Sequence, residues 1–205
     1  MIEERNEQFA AQIFQAEGIS KTAARQAVAD SIDRWVWYAG WTDKVAQVVG
    51  AANPVAGPYF NFSVPEPTGV VAVLAPAESS LLGLVSVVAP VIATGNTVVV
   101  VASEDRPLPA ITLGEVLATS DVPGGVVNVL TGKMAELAPV LAGHFDVNAI
   151  DLTGAAANSR GELERLAAEN VKRVFWAEED WARGPTPRRM LAFLETKTVW
   201  HPVGI

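Results

Sequence analysis

A doubly wound α/β sheet of parallel strands is the fold class that three observations predict. First, residues 69–104 hold short β-branched blocks at 70–75 and 98–101 on either side of a longer apolar block at 81–93. Periodicity alone does not separate a buried strand from a buried helix, so length and punctuation arbitrate, and they read this stretch as β-α-β. Second, the strand blocks are continuous rather than alternating, the pattern of strands covered on both faces. Third, strand-like and helix-like segments go on alternating as far as Trp176, as a doubly wound sheet requires.

In chain order, residues 3–17 predict a helix with Phe9, Ile13 and Phe14 on its apolar face and Gly18 ending it. Ser20 is the expected N-cap of a second helix. Its stripe of Ala24, Val28, Ile32 and Trp35 runs into an aromatic cluster with Trp37, Tyr38 and Trp41. That cluster reads as packing against a neighbouring element or subunit. From 53 to 67 the composition turns to Pro, Gly and aromatics, and Tyr59, Asn61 and Ser63 alternate with Phe60, Phe62 and Val64. The alternation predicts an exposed edge strand with one apolar face, which needs cover from another strand or chain.

Beyond the β-α-β stretch, Pro107 and Pro109 introduce a helix over 109–119 with Leu113, Val116 and Leu117 facing inward. A turn at Pro123-Gly124-Gly125 leads to a buried strand at 126–130. The next helix is expected from about residue 135, which keeps Pro139 near its start, to Gly143. A strand at 147–152, a helix at 157–169 and a last core strand at 171–176 complete the alternation. Residues 177–187 read as a loop, 188–194 as a short helix and 196–203 as a terminal strand that must be paired to be ordered.

Half of the 205 residues are apolar and 19% are charged, so the chain is a folded one, long enough for one α/β domain with a substantial core. A net charge of −8 argues against nucleic acid and anionic membranes as partners. Between Ser79 and Ser103 no residue is charged, a stretch longer than the ~20 residues that span a bilayer. Pro90, the Gly95-Asn96 stop and the lack of flanking Lys, Arg, Trp or Tyr anchors make it a buried core instead. The absence of cysteine excludes disulfides, thiolate metal sites and cysteine nucleophiles within these residues, and two histidines exclude a histidine-rich metal site. The opening residues lack the basic start and apolar block of a signal peptide, which predicts a cytoplasmic chain.

Five segments carry a resemblance: WYAGWTDK at 37–44, VPEPTGVVAVLAP at 64–76, APVIATGNTVVVVASE at 89–104, PGGVVNVLTG at 123–132 and LTG at 152–154. In order and spacing they resemble the nucleotide-binding half of the aldehyde dehydrogenase superfamily. MLAFLETKTVW at 190–200 resembles that family's closing strand, which belongs to its oligomerisation arm together with strands like those around 57–68. The resemblance implies a Rossmann-like core over 69–180, N-terminal helices over 1–54 and oligomerisation strands at 55–68 and 195–205, all in one domain. Between Trp176 and Arg188 the family's catalytic domain has no counterpart.

The departures from the family pattern shape the expected function. The family's catalytic residue is a cysteine, and this sequence has none. Its P-W-N motif, whose asparagine donates to the developing oxyanion, reads Pro76-Ala77-Glu78, and a carboxylate there repels an oxyanion. The general-base glutamate aligns with Ala177, one residue before Glu178. The K-P-S/A-E motif that holds the adenosine ribose reads Val101-Ala102-Ser103-Glu104, and the F-T-G-S turn at the pyrophosphate reads Leu152-Thr153-Gly154-Ala155. The resemblance thus leaves Glu104, Pro76 and Gly154 as vestigial cofactor-binding candidates, no catalytic residues and no metal ligands. No cofactor is expected, with NAD(P) retained only at low affinity. Loss of the lysine and serine contacts is worth ~1–3 kcal/mol each.

Other chemistry is weaker. Ser79 or Ser80 with His144 lacks a nucleophile elbow, and serines before a helix are commonly caps. Glu78, Glu178, Glu179 and Asp180 read as solvated loop acids, and His201 beside Trp200 as an interface or packing residue. Two functions follow from the resemblance. One is a non-catalytic subunit that pairs its 57–68 and 195–203 strands with another chain, as a homo-oligomer or with a full-length aldehyde dehydrogenase. The alternative is an NAD(P)-binding oxidoreductase remnant using Glu104 and the helix N-termini near 79–81 and 154–156.

Overall fold

The computed structural model describes residues 1–204. Helix α1 (Asn6–Glu17) ends where Gly18 takes the left-handed conformation, φ +67°. Ser20 caps α2 (Lys21–Ala39), its hydroxyl accepting from the Ala23 N–H at 3.1 Å. A short α3 (Val45–Val49) leads into β1 (Ala51–Asn53) and β2 (Tyr59–Pro67). The alternating core follows: β3 (Val70–Leu74), α4 (Leu82–Ile92), β4 (Thr97–Val101), α5 (Leu108–Ala118), β5 (Val127–Leu130), α6 (Met134–Gly143), β6 (Ala149–Asp151), α7 (Ala157–Ala168) and β7 (Arg173–Phe175). Helix α8 (Arg188–Ala192) and β8 (Leu194–Pro202) close the chain.

The five core strands pair in the order β5-β4-β3-β6-β7, all parallel. The chain winds outward from β3 through β4 and β5, then crosses to β6 and β7 on the other side, so the topological switch point lies between β3 and β6. Both faces are covered. Val71, Val73, Val98 and Val100 pack with α1, α2, α4 and α5, while Ala72, Leu74, Val101 and Ile150 pack with α6 and α7. Every residue of α4 from Leu82 to Val91 is buried, and among the described residues no helix is long and apolar enough to cross a membrane. The uncharged stretch is the central helix of the domain.

The Gly95-Asn96 turn does more than stop α4. Asn96, buried, accepts from the Gly69 N–H at 2.8 Å and donates to the Phe193 carbonyl at 2.9 Å, tying α4 to β3 and to the start of β8. Gly95 supplies the positive φ of +84° that the turn requires.

The second sheet is antiparallel, in the order β1-β2-β8. Here several expectations are corrected. The strand at 59–67 is central, not an edge, because 51–53 forms a strand outside it rather than the end of a helical N-terminal segment. The 57–68 and 195–203 strands pair with each other within the chain over nine residues, Tyr59 opposite Pro202 through Pro67 opposite Leu194. Neither face follows the predicted division, since Asn61 is buried and Phe60 is exposed. Prolines 65 and 67 fit because their missing N–H groups fall on the side of β2 beyond the end of β1.

Smaller differences have equally local causes. Phe14 is exposed, because Phe9, Ala10 and Ile13 alone define the buried stripe of α1. Strand β5 is an edge strand and only half buried. The last core strand spans three residues, since Val171 adopts φ +58° and turns the chain into it. Helix α6 starts one residue early and holds Pro139 inside rather than in its first turn.

Candidate functional site

In doubly wound sheets ligands bind outside the carboxyl ends of the strands at the switch point. Here that position is formed by Ala75 and Pro76 after β3 and by Leu152 to Gly154 after β6. The two turns touch. Gly154 N–H donates to the Leu74 carbonyl at 3.0 Å, and a Cβ on Gly154 would lie 2.2 Å from the Ala75 carbonyl oxygen. Gly154 is therefore required by close backbone packing, whatever else it meets. Pro76 is buried against α4, where a Cβ on Gly83 would lie 2.6 Å from the Pro76 ring. Glu104 is exposed, and its Oε2 accepts from the Met134 N–H at 3.0 Å, capping α6. The structure thus brings Pro76 and Gly154 to one end of the sheet with Glu104, but gives each of them a structural partner.

The positions that lack the family's polar groups are apolar and buried. Val101 lies in the core, and Ala155 packs with Leu152, Leu163 and Ala167. One carboxylate already engaged at a helix N-terminus is a poor match to the ribose hydroxyls of a dinucleotide, and the residues present do not fit such a cofactor held tightly.

The loop from Ala177 to Pro187 lies across α2 and α4. Trp181 Nε1 donates to Glu78 Oε1 at 2.7 Å, so the carboxylate that stands in the P-W-N position is occupied by this loop. Arg106 Nη1 holds the same turn, donating to the Ala77 and Glu78 carbonyls at 3.0 Å each. Arg34, on the buried face of α2, donates to Ser86 Oγ at 2.6 Å and to the Trp181 and Arg183 carbonyls at 3.0 and 2.7 Å. Burial pushes the Arg34 guanidinium below its ordinary value and the neighbouring Tyr38 phenol above its own.

The centre of the closure is an ion network. Arg189 of α8 is 4% exposed and pairs with Asp151, 0% exposed at the end of β6, and with Glu179 Oε1 at 2.8 Å. It also donates to Thr153 Oγ1 at 3.1 Å and lies over the Phe175 ring, 4.8 Å from its centroid. Asp151 Oδ1 in turn accepts from the Thr153 N–H at 3.0 Å. Sequence reading placed Glu179 in a solvated loop and did not single out Asp151 or Arg189. The one signal available was an aspartate inside an apolar strand, Ala149-Ile150-Asp151-Leu152, which at that depth requires a cation.

A cavity of about 550 Å³ lies between this loop and α2 and α4, lined by Arg34, Tyr38, Ser86, Trp181 and Arg188 among others. It is separate from Glu104, Pro76 and Gly154. The serine candidates are engaged elsewhere: Ser79 accepts from the Gly83 N–H, Ser80 donates to Glu17, and His144 accepts from the Asp146 N–H. Among the described residues no group of three or more His, Cys, Asp or Glu side chains is placed to hold a metal.

The model of the aldehyde dehydrogenase family matches residues 1–177. The chain belongs to the aldehyde dehydrogenase family. Retinal dehydrogenase 2 of Mus musculus is 36% identical over 138 residues, 67% of this chain and 26% of that protein. Hydroxyisobutyraldehyde dehydrogenase of Mycolicibacterium austroafricanum is 36% identical over 151 residues, 74% of this chain and 29% of its own length. Among solved structures, a betaine aldehyde dehydrogenase of Staphylococcus aureus in complex with NAD+ superposes with a TM-score of 0.80 at 27% identity, covering 85% of this chain and 34% of that one. An NAD+ complex of a Bacillus cereus aldehyde dehydrogenase gives 0.79 at 27% identity, with 85% and 35% covered. The chain therefore spans about a quarter to a third of the length of these aldehyde dehydrogenases.

Proposed function

We propose that this aldehyde dehydrogenase family member is a non-catalytic subunit. It assembles through its three-stranded arm, with itself or with a full-length aldehyde dehydrogenase, in the cytoplasm. The observation that carries the reading is the closing loop. Only residues 177–187 connect the last core strand to α8 and the arm, and their side chains are built into the fold through Trp181–Glu78 and Glu179–Arg189. A loop serving as the stump of a lost domain would have no reason to seat Trp181 on Glu78 and Glu179 on the arginine of α8 that answers the buried Asp151. The missing cysteine and the alanine at 177 remove nucleophile and base together, and Glu78 opposes an oxyanion. Two of the solved relatives hold NAD+, but with Val101 and Ala155 buried and Glu104 capping α6, this chain holds NAD(P) weakly at best.

The test is a titration of the purified chain with NAD and NADP, followed by calorimetry, beside an assay of aldehyde oxidation with the chain alone. The expected outcome is no turnover and no binding tighter than ~100 μM, the affinity that corresponds to about −5.5 kcal/mol. Turnover by the chain alone, or tighter binding, overturns the reading.

A further inference from the structure

The outer edge of β8 carries no partner strand among the described residues, and its backbone pattern is self-complementary. Val203 N–H donates to the Pro58 carbonyl at 2.9 Å and Thr68 N–H to the Phe193 carbonyl at 3.2 Å. In an antiparallel ladder hydrogen-bonded and open pairs alternate, so Glu195, Lys197, Val199 and His201 turn their backbone groups toward β2. Leu194, Thr196, Thr198, Trp200 and Pro202 turn theirs outward. The Leu194 carbonyl already accepts from Arg173 Nη1 at 2.6 Å.

We infer that β8 pairs antiparallel with β8 of a second copy of this chain about a two-fold axis at Thr198, making one six-stranded sheet from two arms. The inference rests on the assembly reading above and names the partner. In this register Thr196 faces Trp200 of the other copy and Thr198 faces its own counterpart, each as a hydrogen-bonded pair. Leu194 faces Pro202. Proline has no N–H to give, and it meets the one outward carbonyl that is already satisfied within its own chain. No donor or acceptor is stranded at either end. Between these pairs Glu195 lies opposite His201, and Lys197 opposite Val199.

Neighbouring registers are worse. Moving the axis to residue 197 sets Lys197 against its own copy, and like charges directly opposite destabilise a sheet, while moving it to 199 shortens the ladder to residues 196–202. An axis at 196 pairs only half of the strand before it runs into α8. Axes between residues bring inward-turned groups to the edge. Pairing at Thr198 uses all nine residues of β8 and is isologous, so it closes as a dimer instead of propagating.

The decisive substitution is Thr198→Pro in the full chain. It deletes an outward N–H at the axis and leaves the β2–β8 backbone ladder intact, because the Thr198 main chain gives β2 no hydrogen bond. The Thr198 Oγ1 contact with Ser63 Oγ at 2.9 Å is lost as well, and Thr198→Ala, which loses that contact but keeps the N–H, is the control and is expected to dimerise like the wild type. Sedimentation is expected to show a wild-type dimer and a folded Thr198→Pro chain whose dimer dissociates at least tenfold more readily, two hydrogen bonds being lost per dimer. Cross-linking guards against a variant that fails to fold. In this cysteine-free chain Thr198→Cys places two thiols on Cα atoms ~5.5 Å apart, within disulfide reach. Thr196→Cys and Trp200→Cys place theirs roughly 14 Å apart. Rapid oxidation to a covalent dimer is expected at 198 alone. A monomeric wild type at ~100 μM, or cross-linking equal at all three positions, overturns the pairing. Capture of a full-length aldehyde dehydrogenase by that same monomer would leave the broader assembly reading standing while this one fell, and failure of both would remove the two together.

Discussion

In β3 and β4 of the parallel sheet, Val71, Val73, Val98 and Val100 are fully buried. In β2 and β8 of the arm, Phe60 is 51% and Trp200 60% exposed. The ladders differ in the opposite sense, since β2 and β8 pair over nine residues and β3 and β6 over three. The core sheet is held by the removal of apolar area from water, at roughly 25 cal/mol per Å², and its ladders can be short. The arm has hydrogen bonds and aromatic contacts, such as Tyr59 against Trp200 with centroids 5.9 Å apart, but too little burial for a core of its own. A sheet built that way is stable where it is attached and asks for cover on its open side.

The largest effect expected is at the closure of the core. Arg189→Met strands Asp151 in the interior without a cation, and a loss of 3–5 kcal/mol, or about that, is expected in urea denaturation. A loss under ~1 kcal/mol would mean that the ion network is not what seals the sheet. The core and the arm separate more directly in a pair of truncations. Leu74→Ala should cost about 2–5 kcal/mol in the isolated chain, and Phe60→Ala about 0.5 kcal/mol or less. Equal costs would break the contrast drawn above.

The smallest effect concerns pH. Burial raises the Tyr38 phenol above its ordinary value, and its hydroxyl donates to the Thr186 carbonyl at 3.3 Å. The folded state then keeps a proton that the unfolded chain gives up, so this contribution is fully present below the unfolded value of ~10 and declines as pH rises above it. Tyr38→Phe should show a shallower loss of stability between about pH 9 and about pH 11 than the parent chain. An identical slope in both would place the alkaline loss elsewhere.

Most of the core was legible in the linear chain, because its signals are local. The valine blocks, the capping Ser20, Gly18 and the Gly95-Asn96 turn each specify their conformation through sterics or a bond to a near neighbour, and the structure has strands, helix starts and stops at those places. The candidate site was legible only as a set of departures. Glu104, Pro76 and Gly154 could be named from family resemblance, but not that Glu104 caps α6 or that Gly154 presses on Ala75.

By itself, then, the sequence determined the order and type of the core elements, the family, and the absence of a thiol chemistry from these residues. Only the tertiary structure decided that β2 is central rather than an edge, that β8 pairs within the chain, and that Asp151 is answered by Arg189. The physical reason is the distance along the chain. Register between strands more than a hundred residues apart, and the partner of a buried charge, are set by which surfaces the fold brings together, and no local propensity records them.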